Sequence, residues 1–306
     1  MNKLRIVSYN IDGLPEKLNL ADLPWYLTPI AWVYKAVKGT TEIRINDGSD
    51  RAEKIEEISE YLNSLNPDII VVQEDFNFHK ELMSSLTSYA DSTHTGDISL
   101  KNLMSKTEWR PLPRFKADGL NILTTGNYEL VEETIVPWKK CNGYVDHAND
   151  KLTKKGFRHC MIQLNLYPQT IAYDPFTNDL CRFLDLYVIH MDADFYNPEK
   201  CPDVSKDIEA RKAQVKQLLQ YIEKEDSARP IIIVGDTNCA EYEWDKETIQ
   251  LLLDAGFTEA KNDTESTVDR LFYKDGLGRP IRVSSVEYGR SGLSDHRPLI
   301  VDLELV

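Results

Sequence analysis

The tetrapeptide Gly235-Asp236-Thr237-Asn238 follows the most apolar run of the chain, Ile231 to Val234. Asp236 is a carboxylate able to orient or deprotonate water, and Asn238 an amide able to hold an anionic oxygen. Polar residues close other strand-like runs in the same way. LRIVSYNID ends on Asn10 and Asp12, IIVVQED on Glu74, and LDLYVIHMDAD on His190 and Asp192. LSDHRPL, just ahead of the last run, holds Asp295 and His296. Each alone is ordinary turn or capping chemistry. Five strand boundaries carrying this set are hard to obtain that way. Loops at strand ends converge on ligands while the sheet holds them rigid. The candidate ligands Glu74, Asn10 and Asp295 offer hard oxygens and no thiolate, which favours Mg²⁺ or Mn²⁺ over zinc. So few carboxylates leave positions on such a cation for water and phosphate oxygens. His190 and His296 can then exchange protons or stabilise charge.

The elements behind these residues read as strands at 4–9, 69–73, 119–124, 158–166, 183–189, 230–234, 267–273, 281–287 and 298–305. IIVV and IIIV are apolar throughout and read as central; IQLNL and VDLEL alternate and read as half exposed or antiparallel. Helical periodicity covers 51–65, broken at Asn66-Pro67, and 206–224, with Ser205 as its expected N-cap. A weaker helix spans about 246–255 and stops at Gly256. Strands interleaved with a few helices suggest stacked sheets with helices outside. No repeat or linker interrupts the 306 residues, so one domain is expected over 1–306.

The net charge of −14 opposes long-range attraction of polyanions, so no stable nucleic-acid partner is expected. Two stretches, 101–116 and 139–158, are nonetheless basic and suit one small anionic group. Five cysteines at 141, 160, 181, 201 and 239 fit no zinc or CxxC spacing and read as free thiols. MNKLRIVSYN enters a strand directly, so a cytoplasmic enzyme is expected, or a secreted one if a leader has been removed. The apolar stretch 23–37 is too short to span a bilayer. A monomer is expected.

SYNIDG, VVQED, IHMDAD, GDTN, VDRLFY and SDHRPL, in this order from residue 8 to residue 298, resemble the endonuclease/exonuclease/phosphatase (deoxyribonuclease I-like) superfamily. The resemblance implies a four-layer α/β/β/α sandwich of two mostly antiparallel sheets flanked by helices, and a Mg²⁺-dependent phosphoester hydrolase. It implies Glu74 as principal metal ligand, with Asn10 and Asp295 assisting. Asp236 would orient or deprotonate the attacking water, Asn238 hold a phosphate oxygen and His190 hydrogen-bond the phosphate. His296 would transfer a proton or stabilise charge, oriented by Asp269 of VDRLFY. QEDFNFH, KADGLNIL, HANDKLTKKGF and HMDAD ahead of EARKAQVKQLL look most like bacterial proteins near the neutral-sphingomyelinase branch, which adds Asn149, Lys155, Arg211 and Asp192 as pocket residues.

A phosphodiesterase acting on a small or membrane-lipid substrate is the reading these residues favour. An inositol-phosphate-type phosphatase, or a specialised nuclease akin to tyrosyl-DNA phosphodiesterase 2, is the alternative among enzymes. A non-catalytic phosphate-binding module is the alternative outside them. The aromatic insertion Trp25, Tyr26, Trp32 and Tyr34 reads as core or a covering helix, or else as an apolar wall beside the phosphate. His79, His94, His147 and His159 read as surface or packing residues.

Overall fold

In the computed structural model, residues 2–14, 17–22, 28–44, 50–91, 93–98, 117–142, 153–164, 182–193, 203–240, 242–262, 264–265 and 267–306 are described. The two uniformly apolar runs become β4 (Ile69–Gln73) and β10 (Ile231–Asp236), each buried at every position. Strands covered on both faces need such sequences.

In the first sheet β1 (Asn2–Asn10) pairs parallel with β4 and antiparallel with β14 (Leu299–Leu305). β13 (Ile281–Tyr288) closes one edge, and β6 (Asn121–Thr124) then β5 (Ala90–Asp91) close the other. In the second sheet β10 pairs parallel with β9 (Phe183–His190) and antiparallel with β12 (Asp269–Lys274). β11 (Thr258–Ala260) lies outside β12, and β8 (Gly156–Leu164) and β7 (Tyr128–Pro137) lie outside β9. Each sheet thus has a single parallel pair at its centre, β1–β4 and β9–β10, and these pairs face each other.

The inner faces share one apolar core, in which Leu4, Ile6, Ile69 and Val71 meet Leu186, Val188, Ile232 and Val234. Outside the first sheet, Val7, Tyr9, Ile70 and Val72 receive Ile55, Ile58 and Leu62 of α2 (Arg51–Leu65). Outside the second, Tyr187, Ile189, Ile231 and Ile233 receive Val215 and Leu218 of α4 (Ser205–Glu225) and Ile249 and Leu252 of α5 (Glu243–Asp254). The layers are α/β/β/α, with both sheets mostly antiparallel.

Two local expectations change, and the covering helix expected of the aromatic insertion is found. β7 carries Glu129, Glu132 and Glu133 at a sheet edge, and a bulge between Leu130 and Glu132 breaks the alternation that would announce a strand. Ser205 is the first residue of α4, not its cap; Val204 is the cap, and the Asp203 carboxylate accepts the Ser205 N–H at 2.9 Å. The aromatic insertion contributes α1 (Thr28–Lys38) within a small hairpin of β2 (Lys17–Asn19) and β3 (Glu42–Arg44). Ala31 and Tyr34 of α1 pack with Phe76, Ile98 and Ala117, whereas Trp32, Val33 and Val37 are 71%, 66% and 74% exposed. Trp25 and Tyr26 lie outside the described residues. No helix among the described residues is long and apolar enough to cross a membrane.

Candidate active site

The two central parallel pairs run in register, Asn10 beside Gln73 and His190 beside Asp236, so their C-terminal ends deliver chemistry to one place. Asn10 Nδ2 donates to Asp236 Oδ2 at 3.0 Å and to Glu74 Oε1 at 3.3 Å, joining the two sheets. His190 Nε2 stands 3.6 Å from Asp236 Oδ2 and 3.8 Å from Glu74 Oε1. Residues 226 positions apart in the chain meet because the sheets stack with these ends together.

Backbone strain marks the same place. Glu74 has φ 61° and Asn238 φ 49°, left-handed conformations that non-glycine residues adopt at a cost. Gly13 presses on the Glu74 turn, its amide donating to the Glu74 carbonyl at 3.2 Å. The backbone N–H of Asn238 donates to Asp236 Oδ1 at 2.8 Å, and its amide nitrogen donates to the Met191 carbonyl at 2.9 Å. Gly235, at φ 140°, lies so close to β9 that a Cβ there would fall 2.1 Å from the Ile189 carbonyl oxygen.

The third wall is the Ser294-Asp295-His296 loop. Ser294 Oγ donates to the Asn10 carbonyl at 2.8 Å, tying the loop to the end of β1. His296 Nδ1 donates to Asp269 Oδ2 at 2.7 Å, and its Nε2 faces Asp236 Oδ2 at 3.8 Å. Burial opposes the His296 cation, but the Asp269 hydrogen bond and the charges of Asp236, Asp269 and Asp295 outweigh it and lift the imidazole to about 10. His190 behaves oppositely. Burial, then the charges of Lys155 and His296, holds it well below its usual value, so it is neutral. Burial pushes Glu74 and Asp236 up, against the pull of Lys155 on both and of His296 on Asp236. One neutral and one cationic histidine therefore flank a pair of crowded carboxylates. A cavity of about 290 Å³, lined by Thr267, Tyr288, Asp295, His296 and Arg297 among others, opens beside this wall.

Asn10, Glu74, His190, Asp236, Asn238, Asp269 and His296 are brought together, with Asp295 exposed at the rim. The residues fit a divalent cation at Glu74, where crowding by Asp236 and Asp295 is a repulsion that a cation relieves. Asn10 is turned differently from the expected ligand. Its Oδ1 accepts the Asp12 N–H at 3.0 Å and its N–H side faces Glu74, so it positions the carboxylates. Lys155 is buried, not solvated, and its Nζ lies 3.4 Å from the Met191 carbonyl, close enough to bias Glu74, His190 and Asp236.

Asp192 and Arg211 depart from the pocket role. Asp192 accepts from Gln214 at 2.7 Å and from the Asn142 N–H at 2.5 Å, so both oxygens are engaged. Arg211 is fully buried, paired with Asp245 at 2.8 Å, and donates to the Asp192 carbonyl at 3.2 Å. The pair braces the loop after β9 from below. Asn149, His147 and the basic stretch 101–116 lie outside the described residues. Arg158 of the second basic stretch is buried against Asp118 and Glu133.

Sequence reasoning missed several supports. Trp138 donates to the His190 carbonyl at 2.7 Å, and Arg51 pairs with Asp12. Neither carries a motif. His159 is a packing residue, stacked on Tyr187 and bonded to Asp185 at 3.0 Å. His79 and His94 are packed as well, stacked on each other and both bonded to buried Asp75, the residue after Glu74.

A humanized TDP2 from D. rerio shares this fold at a TM-score of 0.61, with 14% identity over 99% of both chains. Sphingomyelinase C from Streptomyces griseocarneus does so at 0.59, with 14% identity over 99% of both chains. A mutant beta toxin from Staphylococcus aureus with bound magnesium ions does so at 0.58, with 14% identity over 98% of this chain and 99% of that one. No curated protein matches the sequence. The model of the Endonuclease/Exonuclease/phosphatase family matches residues 7–296. With that match spanning nearly the whole chain and the strand-end site in place, the protein belongs to the endonuclease/exonuclease/phosphatase family and is a metal-dependent phosphoric ester hydrolase.

Proposed function

We propose that the protein hydrolyses a phosphodiester of lipid-like character, with Mg²⁺ held at Glu74. The observation that carries this reading is the pairing of a neutral His190 with a cationic His296 across Asp236 and Asn10. Phosphoryl transfer needs a placed water, neutralised equatorial oxygens and an eased leaving group. Asp236, held by Asn10 and the Asn238 N–H, orients the water and takes its proton. Neutral His190 and the Asn238 amide donate to non-bridging oxygens where charge develops. His296, kept cationic by Asp269, faces the same group and stabilises the negative charge that develops at the phosphate. Bound Mg²⁺ supplies Lewis-acid charge neutralisation at the phosphate, and Mn²⁺ suits the same oxygens.

The lipid character rests on α1. Its exposed Trp32, Val33 and Val37 stand beside Lys35 and Lys38, also exposed, on a helix that packs through Ala31 against Phe76, two residues from Glu74. Apolar side chains rimmed by lysines suit a membrane surface.

The test is hydrolysis of bis-(p-nitrophenyl) phosphate and p-nitrophenyl phosphate with Mg²⁺ or EDTA, for wild type and Glu74→Gln, followed by phospholipid and sphingolipid vesicles. Diester cleavage abolished by EDTA and by the substitution, with turnover of a vesicle substrate, is the expected result. Monoester cleavage alone would replace the proposal with a phosphatase, and turnover of an oligonucleotide in place of vesicles with a nuclease.

A further inference from the structure

We propose that Asp75, His79 and His94 form a second metal site, for a borderline transition cation of the zinc class. It is separate from the catalytic centre at Glu74.

The three residues come from three segments. Asp75 follows β4, His79 opens α3 (His79–Leu82), and His94 lies in the segment leading toward β6. Both imidazoles aim the same atom at one carboxylate oxygen: His79 Nδ1 lies 2.8 Å and His94 Nδ1 3.2 Å from Asp75 Oδ2. The ligand atoms all fall within 4.8 Å of one another. Ligands about 2.0–2.1 Å from a tetrahedral zinc stand about 3.3 Å apart; the two imidazole nitrogens stand 2.8 and 3.2 Å from Asp75 Oδ2, so the His79 contact opens slightly to admit the ion.

Hydrogen bonding alone accounts poorly for the arrangement. Asp75 Oδ2 is the partner of His79, of His94 and of Asn121 Nδ2 at 3.0 Å. Oδ1 of the same carboxylate is buried without a hydrogen-bond partner among the described residues. Asp75 is 1% exposed, where an unused acceptor is costly. A cation held by both carboxylate oxygens relieves the crowding at Oδ2 and gives Oδ1 a partner. The two rings are stacked, with centroids 3.7 Å apart and planes 10° from parallel, so one imidazole turns out of the stack when both nitrogens take the same ion.

The surroundings are those of ligating groups. A metal-bound imidazole usually gives its second nitrogen to a carboxylate. His94 Nε2 faces Asp97 Oδ1 at 3.4 Å. Asn121 supports the Asp75 carboxylate from β6. Two imidazoles with one carboxylate select zinc-class cations over Mg²⁺ and Ca²⁺, which prefer oxygen. Bound there, the metal staples α3 and the segment 93–98 to the residue next to Glu74.

The test uses the full chain stripped with a chelator, incubated with Zn²⁺ or Co²⁺, gel-filtered and assayed for metal. Wild type, Glu74→Gln and the double substitution His79→Asn with His94→Asn are compared, with circular dichroism to establish folding. One zinc per chain is expected in wild type and in Glu74→Gln, and none in the double variant. Cobalt is expected to give the visible absorption of a low-coordinate site in the first two only. Failure of wild type to retain metal, loss of the metal in Glu74→Gln, or full retention by a folded double variant would each overturn the proposal. If the double variant does not fold, Glu74→Gln decides: cobalt uptake with that spectrum supports the site and its absence sinks it.

Discussion

Asp269→Asn is the most informative single change. It keeps the shape of the side chain 2.7 Å from His296 Nδ1 and removes the charge. In the native protein His296 is lifted from 6.5 to about 10, with burial working against the lift. A rise of about 3.5 units is a preference for the imidazolium of about 5 kcal/mol. Asp269 supplies both a hydrogen bond and a charge to that lift, beside the charges of Asp236 and Asp295. Its loss is expected to lower the midpoint by about 2 units, or about 3 kcal/mol. Asp236, whose carboxylate is also crowded by the Asp269 charge, is relieved by the same change and offsets part of this. Because the folded value lies above the unfolded one, this stabilisation is complete below pH 6.5 and disappears as pH rises through about 10. Denaturant titrations from pH 6 to pH 10 should show wild type losing stability across that window and Asp269→Asn losing about half as much. The His296 midpoint can be followed directly by NMR of histidine-labelled protein. Diester turnover at pH 7 should fall less than about tenfold, because an imidazole with a midpoint of about 8 is still mostly cationic there, and the loss should steepen above that pH. A His296 midpoint that does not move, with an unchanged pH–stability slope, would refute the reasoning whatever happens to activity.

Gly235→Ala places a Cβ 2.1 Å from the Ile189 carbonyl oxygen at φ 140°, and should cost about 2–4 kcal/mol in urea unfolding; a loss below about 1 would mean that β9 and β10 yield easily. Arg211→Met strands the buried Asp245 carboxylate and should cost about 3–5 kcal/mol, with KM for a soluble diester within about twofold of wild type. A KM rise of tenfold or more would instead put Arg211 on the substrate. Trp32→Asp with Val37→Asp should leave soluble-diester turnover intact and cut vesicle-substrate turnover about tenfold or more. Equal effects on both substrates would remove α1 from lipid recognition.

Much of the site was legible because its parts are local. An apolar run that stops at a polar residue announces a strand end, and this located Asn10, Glu74, His190 and Asp236 without any coordinates. The helices over 51–65 and 206–224 followed from period alone, since amphipathic faces are written in consecutive residues. β7 was hidden because an edge strand with solvent on one face and a bulge in its middle carries no clean alternation. Trp138 was hidden because the hydrogen bond it makes ends on a backbone carbonyl, which leaves no mark in composition.

Chain order alone settles residue chemistry at each strand end: carboxylates, amides and imidazoles, with hard oxygens suited to Mg²⁺. Which of those groups meet is settled by packing. Lys155 and Arg211 both read as pocket cations, yet one sits near enough to bias Glu74 and Asp236 while the other is bound to Asp245 beneath a loop. His79 and His94 read only as surface or packing residues until folding sets both against Asp75. The reason is physical. Strand and helix formation depend on near neighbours, whereas charge state and ligation depend on groups tens to hundreds of residues apart, brought together by sheet register and the stacking of two sheets.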